Sequence, residues 1–371
     1  MNISMITPHV LGNERGYLLD ALESNWLAPL GPYVEQFEEA VRKYVGADYA
    51  VAVNSGTAAI HCALLAAGVQ KNDLVAVADL TFIASVNPIS YIGAYPVFID
   101  SERETFNMDP DAFAQAAEMF RLKAVIVPHL YGMPANMDAI KKVCDKHGII
   151  LIEDATEALG SQFGNDMAGM IGDIGCFSFN GNKIITSTGG GMVVTNDKAV
   201  ADKVFHLATQ AKEPVPYYKH DAIGFNYRLS NLCAAIGLAQ FETMEERLLR
   251  KHRVFDTYER ELRNGLYLLP DIDGRTSNRW ISCAMLCNPQ AGELVAHLAD
   301  RGIEARRVWY PMHRQPPYAS CPFFTVEAEE TSVSDYAFEH GICLPSDTKL
   351  TYEQVHHIIE SVQGFVEGVQ A

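Results

Sequence analysis

Three short stretches of this chain carry residue types able to hold a phosphate and to supply a reactive amine. Lys183 lies in Cys176-Phe177-Ser178-Phe179-Asn180-Gly181-Asn182-Lys183-Ile184-Ile185-Thr186, a strand that breaks into a polar turn. No other lysine or arginine occurs between Ala168 and Lys198. A lone lysine is most often a solvated surface residue. Here it is followed by Gly189, Gly190 and Gly191, which let backbone pack beside a bulky ligand before the chain returns to a strand. The run Ile152-Glu153-Asp154-Ala155 ends in acids and places Asp154 at the carboxyl edge of a sheet, where open α/β folds bind ligands. A half-buried carboxylate at that edge needs a cationic partner, and capping of the next helix is the alternative use. In Val53-Asn54-Ser55-Gly56-Thr57-Ala58-Ala59-Ile60 a strand runs into a helix through small hydroxyl residues. Free amides around Gly56, with the Ser55 and Thr57 hydroxyls, form a phosphate cup. Ordinary helix capping accounts for the same residues.

A phosphate cup, an acid at a strand end and a lysine on a later turn match what pyridoxal 5'-phosphate requires. The phosphate anchors the ring, a carboxylate keeps the pyridine nitrogen protonated, and a lysine amine bonds the cofactor. The cup has neither a Walker lysine nor a GxGxxG pattern, so a nucleoside triphosphate or dinucleotide is not implied.

The elements that must position these residues follow from periodicity. From Ala50 to Asn196, short β-branched runs alternate with helical stretches: Ala50–Val53, Leu74–Ala78, Tyr95–Ile99, Ala124–Pro128, Ile149–Glu153, Gly175–Phe179 and Gly191–Thr195. That alternation predicts one large α/β domain with a mostly parallel seven-stranded sheet covered on both faces. One long amphipathic helix is expected over Ala234–Arg263, stopping at Asn264-Gly265. A small C-terminal α+β domain should follow, with strands at Trp280–Leu286 and Ile303–Val308 and helices near Ala291–Asp300 and Glu353–Val366. The expected layout is an N-terminal helix and substrate-side segment over 1–32, a large cofactor-binding domain over 33–245, and the connecting helix with the small domain over 246–371.

Composition narrows the partners. The 371 residues carry a formal charge of −17, which repels nucleic acid and anionic lipid surfaces in the absence of a basic run. Eight cysteines include no CxxC pair and read as buried reduced thiols, which points to the cytosol. The start of the chain lacks the basic and apolar regions of a secretion signal, and nowhere do about 18 uninterrupted apolar residues occur, so neither a signal peptide nor a membrane span is expected. No metal site is expected.

The chain resembles the sugar aminotransferases called DegT/DnrJ/StrS, within the fold-type I pyridoxal-phosphate enzymes. The resemblance spans nearly the whole sequence and is carried by Asn54-Ser55-Gly56-Thr57-Ala58, Glu153-Asp154-Ala155-Thr156-Glu157-Ala158, Phe177-Ser178-Phe179 with Lys183, and Gly224-Phe225-Asn226-Tyr227-Arg228-Leu229-Ser230. It implies that Lys183 is the Schiff-base lysine and Asp154 the partner of the pyridine nitrogen. The backbone around Gly56 and Thr57, with the Ser178 hydroxyl, would take the phosphate, and Phe82 would stack on the ring. Glu157 stands where the family usually has glutamine, beside the ring hydroxyl. An ionised glutamate there would repel a phenolate-like oxygen, so a protonated carboxyl, or one sharing that proton, is expected. Asn226 would reach the phosphate of a neighbouring subunit, which implies a homodimer with the active site at the interface.

A narrower resemblance, to bacterial enzymes that aminate C4 of a UDP-linked 4-keto-6-deoxy-N-acetylhexosamine on the way to bacillosamine-type sugars, rests on three segments. These are Asn25-Trp26-Leu27-Ala28-Pro29-Leu30-Gly31, Asn180–Thr186 and Ser277-Asn278-Arg279-Trp280. It implies Asn25, Trp26, Asn278 and Arg279 as substrate-side residues, while the family resemblance implies Arg228 and His313 on the substrate side and L-glutamate as the amino donor. GDP-4-keto-6-deoxymannose or a dTDP-linked ketosugar is the alternative substrate. A sugar dehydratase of the same fold would carry histidine in place of Lys183. A non-catalytic regulatory relative would have no chemical need for Lys183, Asp154 and Ser178 together.

Overall fold

The computed structural model describes residues 2–262, 265–269, 271–272, 274–288, 290–326 and 331–370, with the side chains of 369 and 370 left aside. Two helices precede the first strand, α1 (Glu14–Glu23) and α2 (Pro32–Val45). Helix α2 opens on Pro32, whose missing N–H is no loss in a first turn, and ends at Gly46 in the left-handed region (φ 80°). Its residues Tyr33, Val34, Phe37, Val41 and Val45 recur every three or four positions and bury one stripe.

The alternation of strand and helix then runs β1 (Tyr49–Val53), α3 (Gly56–Ala66), β2 (Leu74–Ala78), α4 (Asn87–Ile92), β3 (Tyr95–Ile99), α5 (Pro110–Met119), β4 (Leu122–Pro128), α6 (Met137–His147) and β5 (Ile150–Asp154). A small hairpin of β6 (Gln162–Phe163) and β7 (Asp166–Met167) interrupts it before β8 (Ile174–Ser178), β9 (Gly191–Thr195) and α7 (Lys198–Ala208). The strands lie in the order β1-β9-β8-β5-β4-β2-β3, and only β9 runs against the rest. Side chains alternate between the two faces: Val75 and Val77 of β2 enter one apolar cluster, Ala76 and Ala78 another. Both faces are therefore buried, which is why these strands read as nearly continuous apolar runs.

The remaining elements are α8 (Asn231–Phe241), α9 (Met244–Glu261), β10 (Leu266–Leu268), β11 (Arg275–Thr276), β12 (Ser282–Leu286), α10 (Ala291–Ala299), β13 (Arg306–Arg307), β14 (Phe323–Phe324), α11 (Val333–His340), β15 (Gly341–Leu344) and α12 (Tyr352–Gln370). A second, antiparallel sheet has the order β10-β12-β15-β13 and packs on α9, α10 and α12. An apolar cluster that includes Leu80, Tyr131, Trp280, Met285 and Val308 fills the space between this sheet and the carboxyl edge of the large one.

Four expectations are corrected. The large sheet has eight strands, because β14 adds in parallel beside β3 through Phe323↔Phe98 and Phe324↔Ile99; two residues are too few to show a period of two. The helix expected over 234–263 is two helices. Thr243 leaves helical geometry (φ −107°, ψ 17°) and its hydroxyl turns back to the Gln240 carbonyl, so α8 closes before α9 begins. Asn264 of the expected stop signal lies outside the described residues. The strand expected over Ile303–Val308 is reduced to Arg306–Arg307. All eight cysteines are free thiols, but Cys287 is exposed and Cys233 and Cys321 are half-buried. Among the described residues no helix is long and apolar enough to cross a membrane.

Candidate active site

With six strands of the large sheet pointing the same way along its central run, their carboxyl ends open onto one edge, and a cavity of about 350 Å³ lies there. Its wall takes residues that follow β1, β2, β4, β5 and β8, the glycines ahead of β9, and two indoles, Trp280 and Trp309, from the C-terminal part of the chain. Among the described residues that wall unites Ser55, Gly56, Thr57, Phe82, Asp154, Glu157, Ser178 and Lys183.

Consecutive acids at the end of β5 take opposite environments. Glu153 is wholly buried and accepts hydrogen bonds from the amides of Gly169, Ile171 and Gly172, with its Oε2 2.8 Å from His129 Nε2. Because His129 Nδ1 accepts the Ala135 amide, Nε2 carries the proton and donates it to Glu153. Asp154 enters the cavity wall instead, its Oδ2 accepting from the Ser85 hydroxyl at 2.6 Å and its Oδ1 from the Thr156 amide at 3.1 Å. Strand alternation separates a structural carboxylate from one that faces a ligand.

The phosphate cup and the helix cap are both present in one place. Ser55 is the N-cap of α3, its Oγ accepting from the Ala58 amide at 3.0 Å. The Gly56 and Thr57 amides, at the start of that helix, have no intrahelical acceptor. A Cβ on Gly56 would stand 2.9 Å from Ser178 Cβ and 3.1 Å from Thr156 Cγ2, so only glycine lets the helix start approach β8 this closely. Gly191 does the same at β9, where a Cβ would meet the Ser55 carbonyl oxygen at 2.3 Å.

Lys183 Nζ lies 3.9 Å from Glu157 Oε1 and 4.0 Å from the centroid of the Trp280 ring. Burial pushes the Lys183 amine down, against the charges of Glu157 and Asp154. Burial pushes Glu157 up to about 7, although the Lys183 charge and the Tyr131 amide, which donates to Oε2 at 2.7 Å, pull the other way. Burial therefore favours the uncharged form of both partners.

The residues present fit pyridoxal phosphate. The free amides of α3, the Ser178 hydroxyl, the buried Asp154 and the Lys183 amine face one cavity. Two buried polar atoms on its wall, Asn182 Oδ1 and Trp309 Nε1, have no hydrogen-bond partner, as expected of groups that await a polar ligand.

The substrate-side residues are not brought into this wall. The Arg228 guanidinium donates to Glu38 Oε1 at 2.7 Å and to the Ala52 carbonyl, clamping α2 to β1. Arg279 pairs with Asp271 at 2.9 Å and lies over the Phe255 ring. Asn278 donates to the Glu157 and Leu159 carbonyls and accepts from the Trp280 amide, so it orders the loop behind the site. His313 donates through Nδ1 to Asp79 at 2.7 Å and stacks on Phe323. Asn25 and Trp26 are exposed on the turn after α1, Asn25 with φ 61°. Asn226 sits at the rim, its carbonyl accepting from Asn54 Nδ2 at 3.2 Å, with its side chain outside the wall. Conversely, Ser85, Tyr131, Trp280 and Trp309 escaped the reading of the sequence. Trp280 had a signal, since it closes the segment Ser277–Trp280; the others sit in ordinary apolar surroundings.

A model of the DegT/DnrJ/EryC1/StrS aminotransferase family matches residues 10–363. EpsN of Bacillus subtilis (strain 168), assigned to the pyridoxal phosphate-dependent aminotransferases, is 44% identical over 366 residues, covering 96% of this chain and 94% of its own. A GDP-perosamine synthase of Escherichia coli O157:H7 is 38% identical over 364 residues, covering 98% of both chains. Among solved structures, the aminotransferase TlmJ from Streptoalloteichus hindustanus superposes with a TM-score of 0.92 at 26% identity over 100% of both chains.

Proposed function

From the premise that the chain belongs to the DegT/DnrJ/EryC1/StrS aminotransferase family, we propose that it moves an amino group from L-glutamate to C4 of a UDP-linked 4-keto-6-deoxy-N-acetylhexosamine. Pyridoxal phosphate dependence and the class of nucleotide-sugar transaminase come with the family and its relatives. The observation that carries the reading is the meeting of Lys183, Asp154, Glu157 and the α3 amides in one cavity. The UDP-linked substrate is supported by the resemblance in Asn25–Gly31, Asn180–Thr186 and Ser277–Trp280.

When bound, the cofactor supplies a protonated pyridine ring that draws electrons from the carbon carrying the transferred nitrogen. Asp154, held by Ser85 and the Thr156 amide, would pair with that nitrogen and keep its proton in place. The amides of Gly56 and Thr57, with the Ser178 hydroxyl, would bind the phosphate. Phe82, backed by Trp309 at 5.2 Å, would cover the ring. Lys183 Nζ, driven toward its neutral form by burial, takes the proton from the α-carbon of the amino donor and returns it on the acceptor side. Glu157 holds a proton for the ring hydroxyl. Asn226 serves a second copy of the chain, which makes the active unit a homodimer, and the exposed Asn25–Trp26 turn is a substrate-side segment.

A second reading has its own support: the relatives that include the GDP-perosamine synthase at 38% identity favour GDP-4-keto-6-deoxymannose as acceptor. Incubation with glutamate and a panel of UDP-, GDP- and dTDP-linked 4-ketosugars, read by product mass, decides between them. Mass gain on the UDP sugar alone is expected; amination confined to the GDP sugar would overturn the first reading and leave the transaminase standing. Lys183→Ala should lose turnover and the cofactor's absorbance near roughly 410–430 nm, and turnover persisting in that variant would remove Lys183 from its role.

A further inference from the structure

Three rings of the cavity wall, Phe82, Trp309 and Trp280, are linked by Tyr131 into an aromatic row, and its inner end has no part in the reaction as described. Phe82 meets Trp309 at 5.2 Å, Trp309 stacks on Tyr131 at 5.6 Å and 18°, and Tyr131 stacks on Trp280 at 6.4 Å and 20°. The row ends under the Lys183 amine, 4.0 Å from the Trp280 centroid. A cation over an indole face at that distance is held by the ring's negative quadrupole, most strongly where water is excluded. Trp280 is 1% exposed.

Trp280 is fixed from four sides. Its amide donates to Asn278 Oδ1 at 2.9 Å, its carbonyl accepts from Lys251 Nζ at 2.9 Å, and its indole Nε1 donates to the Asn182 carbonyl at 2.7 Å. Tyr131 closes the remaining face. The indole bond reaches the residue directly before Lys183, so one side chain holds both the backbone that bears the lysine and the amine at its tip. The chain arrives through Arg279, a non-glycine residue at φ 53°. That left-handed turn sends the Arg279 guanidinium away to Asp271 and aims the indole at the cavity.

We propose that Trp280 is a positioning residue for Lys183: its indole face is the seat on which the free amine rests, beside Glu157. The inference rests on the role given to Lys183 above. A seat is needed because the lysine amine must stay within reach of the cavity while unbonded, and an acid alone would hold it as a fixed ion pair. The aromatic face attracts the ammonium without accepting its proton. The other charged groups facing Nζ are Glu157 and Asp154, and both are unchanged in the variants below.

The test is the pH dependence of the rate at which enzyme stripped of its cofactor takes up added pyridoxal phosphate, followed by absorbance, since uptake needs a neutral Lys183 amine. Trp280→Leu removes the face and its support for the ammonium, so the midpoint of the profile should move down by about one pH unit. In the reconstituted enzyme kcat should fall by about tenfold or more with the ketosugar KM nearly unchanged. Trp280→Phe, which keeps a face but loses the bond to Asn182, should restore the midpoint. Should Trp280→Leu fail to fold, enzyme grown with fluorinated tryptophan keeps the ring's shape while weakening its negative face, and the midpoint should move the same way. An unmoved midpoint in the fluorinated enzyme, or a parallel loss at every pH in Trp280→Leu, would overturn the proposal. Wild-type uptake with no pH dependence would sink the Lys183 assignment itself.

Discussion

At the level of single residues, the site is governed by burial of groups that prefer water. Glu157 illustrates the sign of the effect. Burial lifts its carboxyl from 4.5 to about 7, so the folded protein binds a proton that the unfolded chain has released across that window. The stability carried by that proton is present below about pH 4.5 and is lost as pH rises through about 7. Glu157→Gln stays uncharged throughout. Its melting temperature should match the wild type near pH 5 and exceed it by roughly 2–4 °C near pH 8, measured by calorimetry; equal melting points at both values would show that burial does not raise the carboxyl in the folded protein. Lys183 and Asp154 were legible as candidates because an isolated lysine and a strand-end acid are visible in the chain order. Whether Ser55 caps a helix or lines a phosphate cup was open in sequence, and it does the first while its neighbours' amides remain available for the second.

At the level of elements, the strand ends and the helix start are pressed together by glycine. Gly191 opens β9 where a side chain would strike the Ser55 carbonyl oxygen at 2.3 Å, and backbone cannot swing aside as a flexible side chain does. Gly191→Ala should therefore destabilise the fold by about 1–3 kcal/mol, read from denaturant midpoints, and weaken pyridoxal phosphate binding because the start of α3 shifts. Unchanged binding would detach the helix start from the phosphate. The seven long strands were readable because both faces of a covered sheet select apolar, β-branched residues. The break between α8 and α9 was not, since apolar spacing runs on through Phe241 and Met244 while the turn is made by Thr243, whose amide and hydroxyl both donate to the Gln240 carbonyl. β14 was unreadable for another reason: it exists only because β3 lends it an edge.

At the level of the whole molecule, the cavity is closed by parts far apart in the chain. Trp280 and Trp309 reach it from beyond the large sheet, and His313 ties its loop to Asp79 at the end of β2. Asn226, beside the cavity-wall residue Asn54, is proposed to meet a second copy. Light scattering should accordingly give a mass of twice 40.9 kDa, and a monomer at micromolar concentration would refute the shared site.

By itself, the sequence determined the class of cofactor chemistry and where the strands of the large sheet lie along the chain: a lysine, an acid and a small-residue helix start recur at strand ends because local periodicity and turn chemistry are written in neighbouring residues. Only the tertiary structure decided which members of a motif face the ligand. In Ser277–Trp280 the two polar residues looked fit for a phosphate, yet a left-handed turn at Arg279 directs them to the scaffold and sends the indole to Lys183. That choice rests on contacts with Asp271, Lys251 and Asn182, residues whose proximity comes from packing and not from spacing along the chain.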